Sequence, residues 1–286
     1  LAKLGEFHDK VSAVFIWTYI KRLFEARENA STEQMGYISG SYKVVFDQLE
    51  KIVESNNGKV HLNTSVKNIR ASDSSKIIIE TNESISEFDK VVFTAPTSLA
   101  DRLVSPDLLQ VDNLNKIEYL GVVCLVMVTK QEVSPYYVLN IADDTIPFTG
   151  VIGMSSLVNT KYTDGKHLTY FPKYVKSSSP LIDREDEQIL SEFMEGFYKL
   201  YPSFDSGDII STHIHRAKRV QPIQLLDYSQ SIPSTSTLHP NFYMLNTSQF
   251  VNDTLNNNSV AKHVENFLQN NPEILKSDQQ IFNRVN

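Results

Sequence analysis

Phe88-Asp89-Lys90-Val91-Val92-Phe93-Thr94-Ala95-Pro96 is the stretch on which the fold turns. Its centre, Val91-Val92-Phe93, is an unbroken apolar run, the pattern of a strand buried on both faces. Pro96 has no N–H for a ladder, so the strand expected over 88–94 must leave for a loop there. A helix over 98–103, with the proline near its first turn, is expected to follow.

Upstream, 76–81 holds Ile77-Ile78-Ile79 and reads as a second strand, while 59–70 alternates through Val60, Leu62, Val66 and Ile69 as a third. A helix over 42–55 precedes them, its apolar Val45, Leu49, Ile52 and Val53 spaced i, i+4, i+7, i+8, and Asn56-Asn57-Gly58 supplies its stop. Another amphipathic helix, with Trp17 and Tyr19, is expected from Val11 to about Arg27, followed by a break through residues 29–40.

Downstream the texture changes. Strands are expected over 117–129, 136–141, 149–154, 167–171 and 209–216, with one helix over 185–201 carrying Ile189, Leu190, Phe193, Phe197 and Leu200. Strands interrupted by a helix imply an α+β region on an open, mainly antiparallel sheet. A buried strand over 241–245 and a helix over 259–269, striped by Val260, Val264, Phe267 and Leu268, come last, and 270–286 reads as a polar tail.

Composition sets the outer limits. A chain of 286 residues suits two domains, and 41% hydrophobic with 21% charged residues is globular. The net charge of -7 argues against a nucleic-acid groove, which needs surplus Lys and Arg to displace counterions. No apolar run approaches the roughly 20 residues of a membrane span, so a soluble, cytoplasmic protein is the default reading. The single cysteine, Cys124, lies in an apolar run and reads as core.

The usual catalytic signatures are missing, among them Gly-x-Ser-x-Gly, Cys-x-x-Cys and His-Glu-x-x-His. His213 and His215 share a strand face but lack a nearby carboxylate or thiol, so ordinary strand histidines are expected. Arg216, Lys218 and Arg219 read as a solvated basic loop. Tyr136, Tyr137, Tyr170, Phe171 and Tyr174 read as packing aromatics that could also line a pocket.

The order of segments carries more. Gly58-Lys-Val-His-Leu-Asn-Thr-Ser-Val66-Lys-Asn-Ile69, the isoleucine strand, the Thr94-Ala95-Pro96 exit, Asn241-Phe-Tyr-Met-Leu-Asn-Thr-Ser-Gln249 and Asn256-Asn-Asn-Ser-Val260 together resemble the flavin amine oxidase superfamily, which includes protoporphyrinogen oxidase, phytoene desaturase and UDP-galactopyranose mutase. Leu120-Gly-Val-Val-Cys124 and Ile146-Pro-Phe-Thr-Gly-Val-Ile152 share the likeness, which touches most of residues 35–268.

The resemblance implies an α/β plus α+β fold: an FAD-binding Rossmann-like domain, incomplete here, with an inserted substrate domain on a mainly antiparallel sheet. It would divide the chain into 1–38 (helical part of the substrate domain), 39–98 (middle of the FAD domain), 99–236 (substrate domain), 237–270 (close of the FAD domain) and 271–286 (tail). It also implies FAD, contacted by Val66, Thr94, Ala95, Pro96, Asn246, Thr247, Ser248, Asn257, Asn258 and Ser259.

Two departures stand out. No Gly-x-Gly-x-x-Gly turn is present, since Gly36, Gly40, Gly150 and Gly153 have other spacings, and Asn246-Thr247 replaces the usual Gly-Asp pair. With Leu1 in place of Met, the first departure predicts a C-terminal fragment, inactive alone, of an oxidoreductase that passes a hydride from a small-molecule organic substrate to flavin. A flavin-dependent nucleotide-sugar mutase, with the basic cluster at its pyrophosphate, and a non-catalytic remnant that binds a partner are the alternatives.

Overall fold

The structure, a computed structural model, describes residues 4, 7, 9–25, 27–29, 32–33, 36–109 and 117–275. Most of the expected tail and residues 110–116 lie outside the described residues. The chain divides into two compact units, one of residues 1–11, 22–60 and 118–223, the other of 12–21, 61–117 and 224–286.

Helix α1 (Ala13–Glu25) buries Phe15, whose ring meets Tyr19 edge-on at 5.1 Å. The break expected after it holds two short antiparallel strands, β1 (Arg27–Asn29) and β2 (Thr32–Glu33). Helix α2 (Ser41–Ser55) has the expected extent but buries none of its side chains. Its stop divides the work between two residues. Asn57 takes the left-handed conformation at φ 62°. Gly58 donates its N–H to the Val53 carbonyl at 2.9 Å, and a Cβ on it would lie 2.6 Å from Val53 Cγ1.

Strands β3 (Val66–Ala71), β4 (Ile77–Thr81) and β5 (Ile85–Phe88) form an antiparallel meander. Two expectations fail here. The run 59–70 is strand only from Val66, because the earlier alternation has no partner and Leu62 is 72% exposed; Asn63 turns left-handed at φ 57°. The run 88–94 is two strands in different sheets. Phe88 ends β5, Asp89 pairs with Lys76 at 3.0 Å, and β6 (Val91–Phe93) then begins. Helix α3 (Thr97–Leu103) follows with Pro96 as its N-cap.

The other unit is built on five antiparallel strands: β7 (Tyr119–Thr129), β8 (Val138–Asn140), β9 (Gly150–Gly153), β10 (His167–Lys176) and, after helix α4 (Asp186–Leu200), β11 (Ile209–Pro222). The spatial order is β11-β7-β10-β9-β8. Val123, Leu125 and Met127 of β7 join Phe148, Phe171, Ile189, Phe193 and Phe197 in one buried cluster, so α4 covers that face. Gly196 lets α4 approach the preceding loop, since a Cβ there would lie 2.3 Å from Pro147 Cδ. Strands β10 and β11 run past their expected ends because β7 offers partners along its whole length.

The chain returns to the first-described meander's unit through β12 (Phe242–Met244) and α5 (Asn257–Asn270), which starts two residues earlier than its pattern suggests. β12 pairs parallel with β6: Phe242 opposite Val91, Tyr243 opposite Val92, Met244 opposite Phe93. One face contributes Phe93, Phe242 and Met244 to a cluster with Ile69, Ile77, Ala100 and Leu108. On the other, Tyr243 and Leu245 meet Phe267 of α5. Both faces of this parallel pair are therefore covered, as its apolar runs require. Val260 and Val264, expected to be buried, are exposed. No described helix is long and apolar enough to cross a membrane.

Candidate functional site

Because β6 and β12 run parallel and in register, their C-terminal exits leave the same end of the sheet. Leu245 donates its N–H to the Phe93 carbonyl at 3.0 Å, and Asn246 Nδ2 donates to the Ala95 carbonyl at 3.2 Å, so the exits are tied directly. In open α/β sheets that carboxyl end is where ligands bind.

The polar residues of the second exit face inward. Asn246 Oδ1 accepts from Ser248 N–H at 3.0 Å and from Ser248 Oγ at 2.6 Å. Asn246 N–H donates to Gln249 Oε1 at 2.9 Å, closing a reciprocal capping box over the short 3-10 helix Thr247–Gln249. Gln249 Nε2 reaches the carbonyls of Met244 at 3.1 Å and Pro233 at 3.2 Å, and Tyr228 OH donates to the Ser248 carbonyl at 2.5 Å. Asn246 and Ser248 are thus committed to holding the loop. The expected outward roles pass to Thr94 and Pro96, both exposed, and to Thr247, which is half-buried. Ser98 Oγ, just past the first exit, is buried with no partner among the described residues.

Val66, at the start of β3, packs at the margin of the cluster that holds Phe93 and Phe242. The start of α5 is tied to the second exit through the intervening loop. Asn256 is its N-cap, accepting from Ser259 N–H at 2.9 Å, while Ser259 Oγ donates to Asp253 Oδ1 at 2.8 Å. Gln224 anchors that loop by accepting from Asn252 N–H at 2.7 Å and donating to the Asp253 carbonyl at 3.0 Å. Asn257 and Asn258 are exposed, and their backbone N–H groups have no acceptor among the described residues.

For a flavin the fit is therefore divided. Unbonded N–H groups at a helix start suit the electron-rich edge of a ring, and small residues at the exits allow close approach. No glycine-rich turn for a pyrophosphate exists anywhere in the sequence. Sequence reasoning missed Gln224, Tyr228, Asp253 and the capping role of Asn256. The Asn246-x-x-Gln249 spacing was the one available signal.

The remaining candidates fall elsewhere. His213 and His215 are exposed on β11, opposite Val126 and Cys124 and away from α4, with rings 6.5 Å apart; no group able to hold a metal occurs among the described residues. Burial pushes the Cys124 thiol up to about 11, so it is a packing residue and not a nucleophile at neutral pH. Arg216, Lys218 and Arg219 lie on a strand and not in a loop. Arg216 pairs with Asp186 and donates to the Arg184 carbonyl at 2.7 Å, and Lys218 pairs with Asp183 at 2.8 Å. Phe171 is core, whereas Tyr136 is exposed.

Known proteins place this geometry. Over 80% of its length the chain superposes on an oxidoreductase from Methanosarcina mazei, with TM-score 0.58 and 16% identity. Over 94% it superposes on a putative protoporphyrinogen oxidase from Exiguobacterium sp. 255-15, with TM-score 0.67 and 13% identity. Over 85% it superposes on a reduced UDP-galactopyranose mutase, with TM-score 0.61 and 12% identity. It spans only 54%, 59% and 53% of those three structures, respectively, and at such identities the likeness is one of fold. A search of curated sequences finds no match. The family profile of the flavin-containing amine oxidoreductases, however, matches residues 4–242, and the chain belongs to that family.

Proposed function

We propose that these residues are the larger part of an FAD-dependent oxidoreductase that takes a hydride from an organic substrate. The observation that carries this reading is the parallel β6–β12 pair, which ties the Thr94-Ala95-Pro96 and Asn246-Thr247-Ser248 exits together beside two unbonded N–H groups of α5. Bound flavin supplies the redox chemistry. The protein's share is to orient it: Thr94, Ala95, Pro96 and Thr247 border the ring system, and Asn257 and Asn258 direct N–H groups at its pyrimidine edge. Val66, Asn246, Ser248 and Ser259 fix the loops that do so.

The FAD-binding domain is Rossmann-like, assembled from 39–98 and 237–270, and incomplete within these residues. The substrate domain comprises 1–38 and 99–236, with 271–286 as a tail. Two features support incompleteness. A parallel pair of three-residue strands is far smaller than the sheets in which parallel strands occur, and α2 buries none of its apolar side chains among the described residues. The mutase alternative needs free cations for a pyrophosphate; of the cluster, Arg216 and Lys218 are paired with carboxylates, which leaves Arg219.

Titration of the purified 286-residue chain with FAD tests incompleteness: weak or absent binding is expected, and tight stoichiometric binding overturns it. The assignment of α5 has its own test, made in the protein supplied with a dinucleotide-binding segment. Asn258→Glu places a carboxylate at an exposed helix start, where it favours the helix, so lost flavin cannot be blamed on unfolding. The flavin potential is expected to fall by roughly 10–40 mV and affinity with it. Unchanged potential and affinity would mean that α5 does not face the ring.

A further inference from the structure

A concavity in the β12–α5 unit opens beside Leu245, the residue that follows β12. It occupies about 360 Å³ between residues 234–236 and the later turns of α5. Residues 234–236 run beside β12, with Met244 N–H donating to the Thr235 carbonyl at 3.0 Å, so this wall is fixed to the sheet. The facing wall is helical: His263, Asn266 and Asn270 follow one another at i, i+3 and i+7, which puts them on one side of α5. Leu245 and Phe267, both buried, form the floor.

The polar groups of the two walls converge without satisfying one another. The side chains of Ser234, Ser236, Asn266 and Asn270 have no partner among the described residues. The His263 ring packs edge-on against Phe250, and its Nε2 is buried out of reach of the cleft. Thr235 Oγ1 receives only a 3.4 Å contact from Gln249 Nε2. A concave site with several polar side chains over an apolar floor is the usual form of a ligand site.

The lining contains no Lys, Arg, Asp or Glu. Burial also lowers the His263 imidazole from its ordinary value, which keeps the ring neutral at pH 7. A phosphate, carboxylate or ammonium would find no countercharge in this lining. Hydroxyl and amide side chains both donate and accept, and so match neighbouring hydroxyls that do the same. The apolar floor suits the C–H face of a ring.

We propose that this cleft binds a neutral pyranose sugar, held by the hydroxyls of Ser234 and Ser236 and the amides of Asn266 and Asn270. None of the side chains that would hold the sugar is among those assigned to the flavin. Its direct test is a titration of the ¹⁵N-labelled 286-residue chain with the methyl glycosides of glucose, galactose and mannose, with inorganic phosphate and uridine alongside. At least one glycoside is expected to give saturable shifts confined to 234–236 and 263–271, with a Kd of roughly millimolar order, and phosphate none. Asn266→Ala and Asn270→Ala, both at exposed positions, are each expected to weaken binding about three- to tenfold, as loss of one or two hydrogen bonds does. The assignment is overturned if no glycoside binds, if phosphate or uridine binds this cleft more tightly, or if both variants bind as the parent does.

Discussion

Helices α4 and α2 have the same length, 15 residues, and similar amphipathic patterns, yet the fold treats them oppositely. α4 buries Ile189, Phe193, Gly196 and Phe197 against the five-stranded sheet. α2 leaves Tyr42, Val45, Phe46, Leu49, Ile52 and Val53 exposed and buries nothing. Periodicity therefore reports that a helix is built to be covered, but not that the covering surface is within these residues. The contrast separates a core that is complete from a face that is not, and it can be broken by measurement.

The largest effect belongs to the closed core. Phe197 is fully buried, with its ring 5.7 Å from Phe171 and 5.3 Å from Phe204. Phe197→Ala removes those contacts and leaves a cavity that backbone packing at Gly196 cannot close, so a loss of about 3–5 kcal/mol is expected in urea unfolding. A loss below about 1 kcal/mol would show that the aromatic cluster is loosely packed and that α4 is no better covered than α2.

A smaller effect tests the other unit. Asn256→Ala removes the acceptor for Ser259 N–H at the start of α5 and should cost about 1 kcal/mol. If stability is unchanged, α5 is not stably docked on β12 and the comparison with α4 extends to it.

How far the sequence foretold this arrangement depends on what each residue needed. Val91-Val92-Phe93 and Phe242-Tyr243-Met244 were legible because a strand buried on both faces must be apolar throughout. Val60 and Leu62 misled, since alternation signals a half-buried strand only where a neighbouring strand exists, and none pairs there. The split of 88–94 was hidden for the same reason: partners, not composition, decide which sheet a residue joins. At the candidate site the exits were legible and the polar duties were not. Asn246 looked like a cofactor contact, but its oxygen and nitrogen are both engaged by the chain itself, through Ser248 and Ala95. Gln224 lies 28 residues from Asn252, a separation no local pattern bridges.

His263 gives a pH-dependent comparison between the units. Burial lowers its pKa below the ordinary 6.5, with Asp253 opposing, and its ring packs edge-on against Phe250 at 4.9 Å. The folded state thus prefers the neutral ring. Well above pH 6.5 neither folded nor unfolded chain holds the proton and the full stability is present. As the pH falls below that value the unfolded chain takes up a proton that the folded one refuses, and stability declines. Unfolding followed by a probe in α5 should show this decline, and His263→Gln should remove that part of the slope. An unaltered slope would assign the acid sensitivity to other groups.

The smallest expected effect is the most informative about α2. Leu49 is 51% exposed on the open stripe. In the isolated chain Leu49→Gln removes little buried surface and keeps a good helix former, so stability should change by no more than about 0.5 kcal/mol. Set beside Phe197→Ala, this gives the widest contrast the two helices can offer. The measurement should be made at several protein concentrations, because an uncovered apolar stripe invites self-association and linkage would then make stability rise with concentration. A concentration-independent loss of 2 kcal/mol or more, on the scale of a buried leucine, would mean that α2 is covered within the chain after all. A loss that appears only at high concentration would make a second copy the cover. Absence of both would show that α2 stays uncovered in the isolated chain, in contrast to α4.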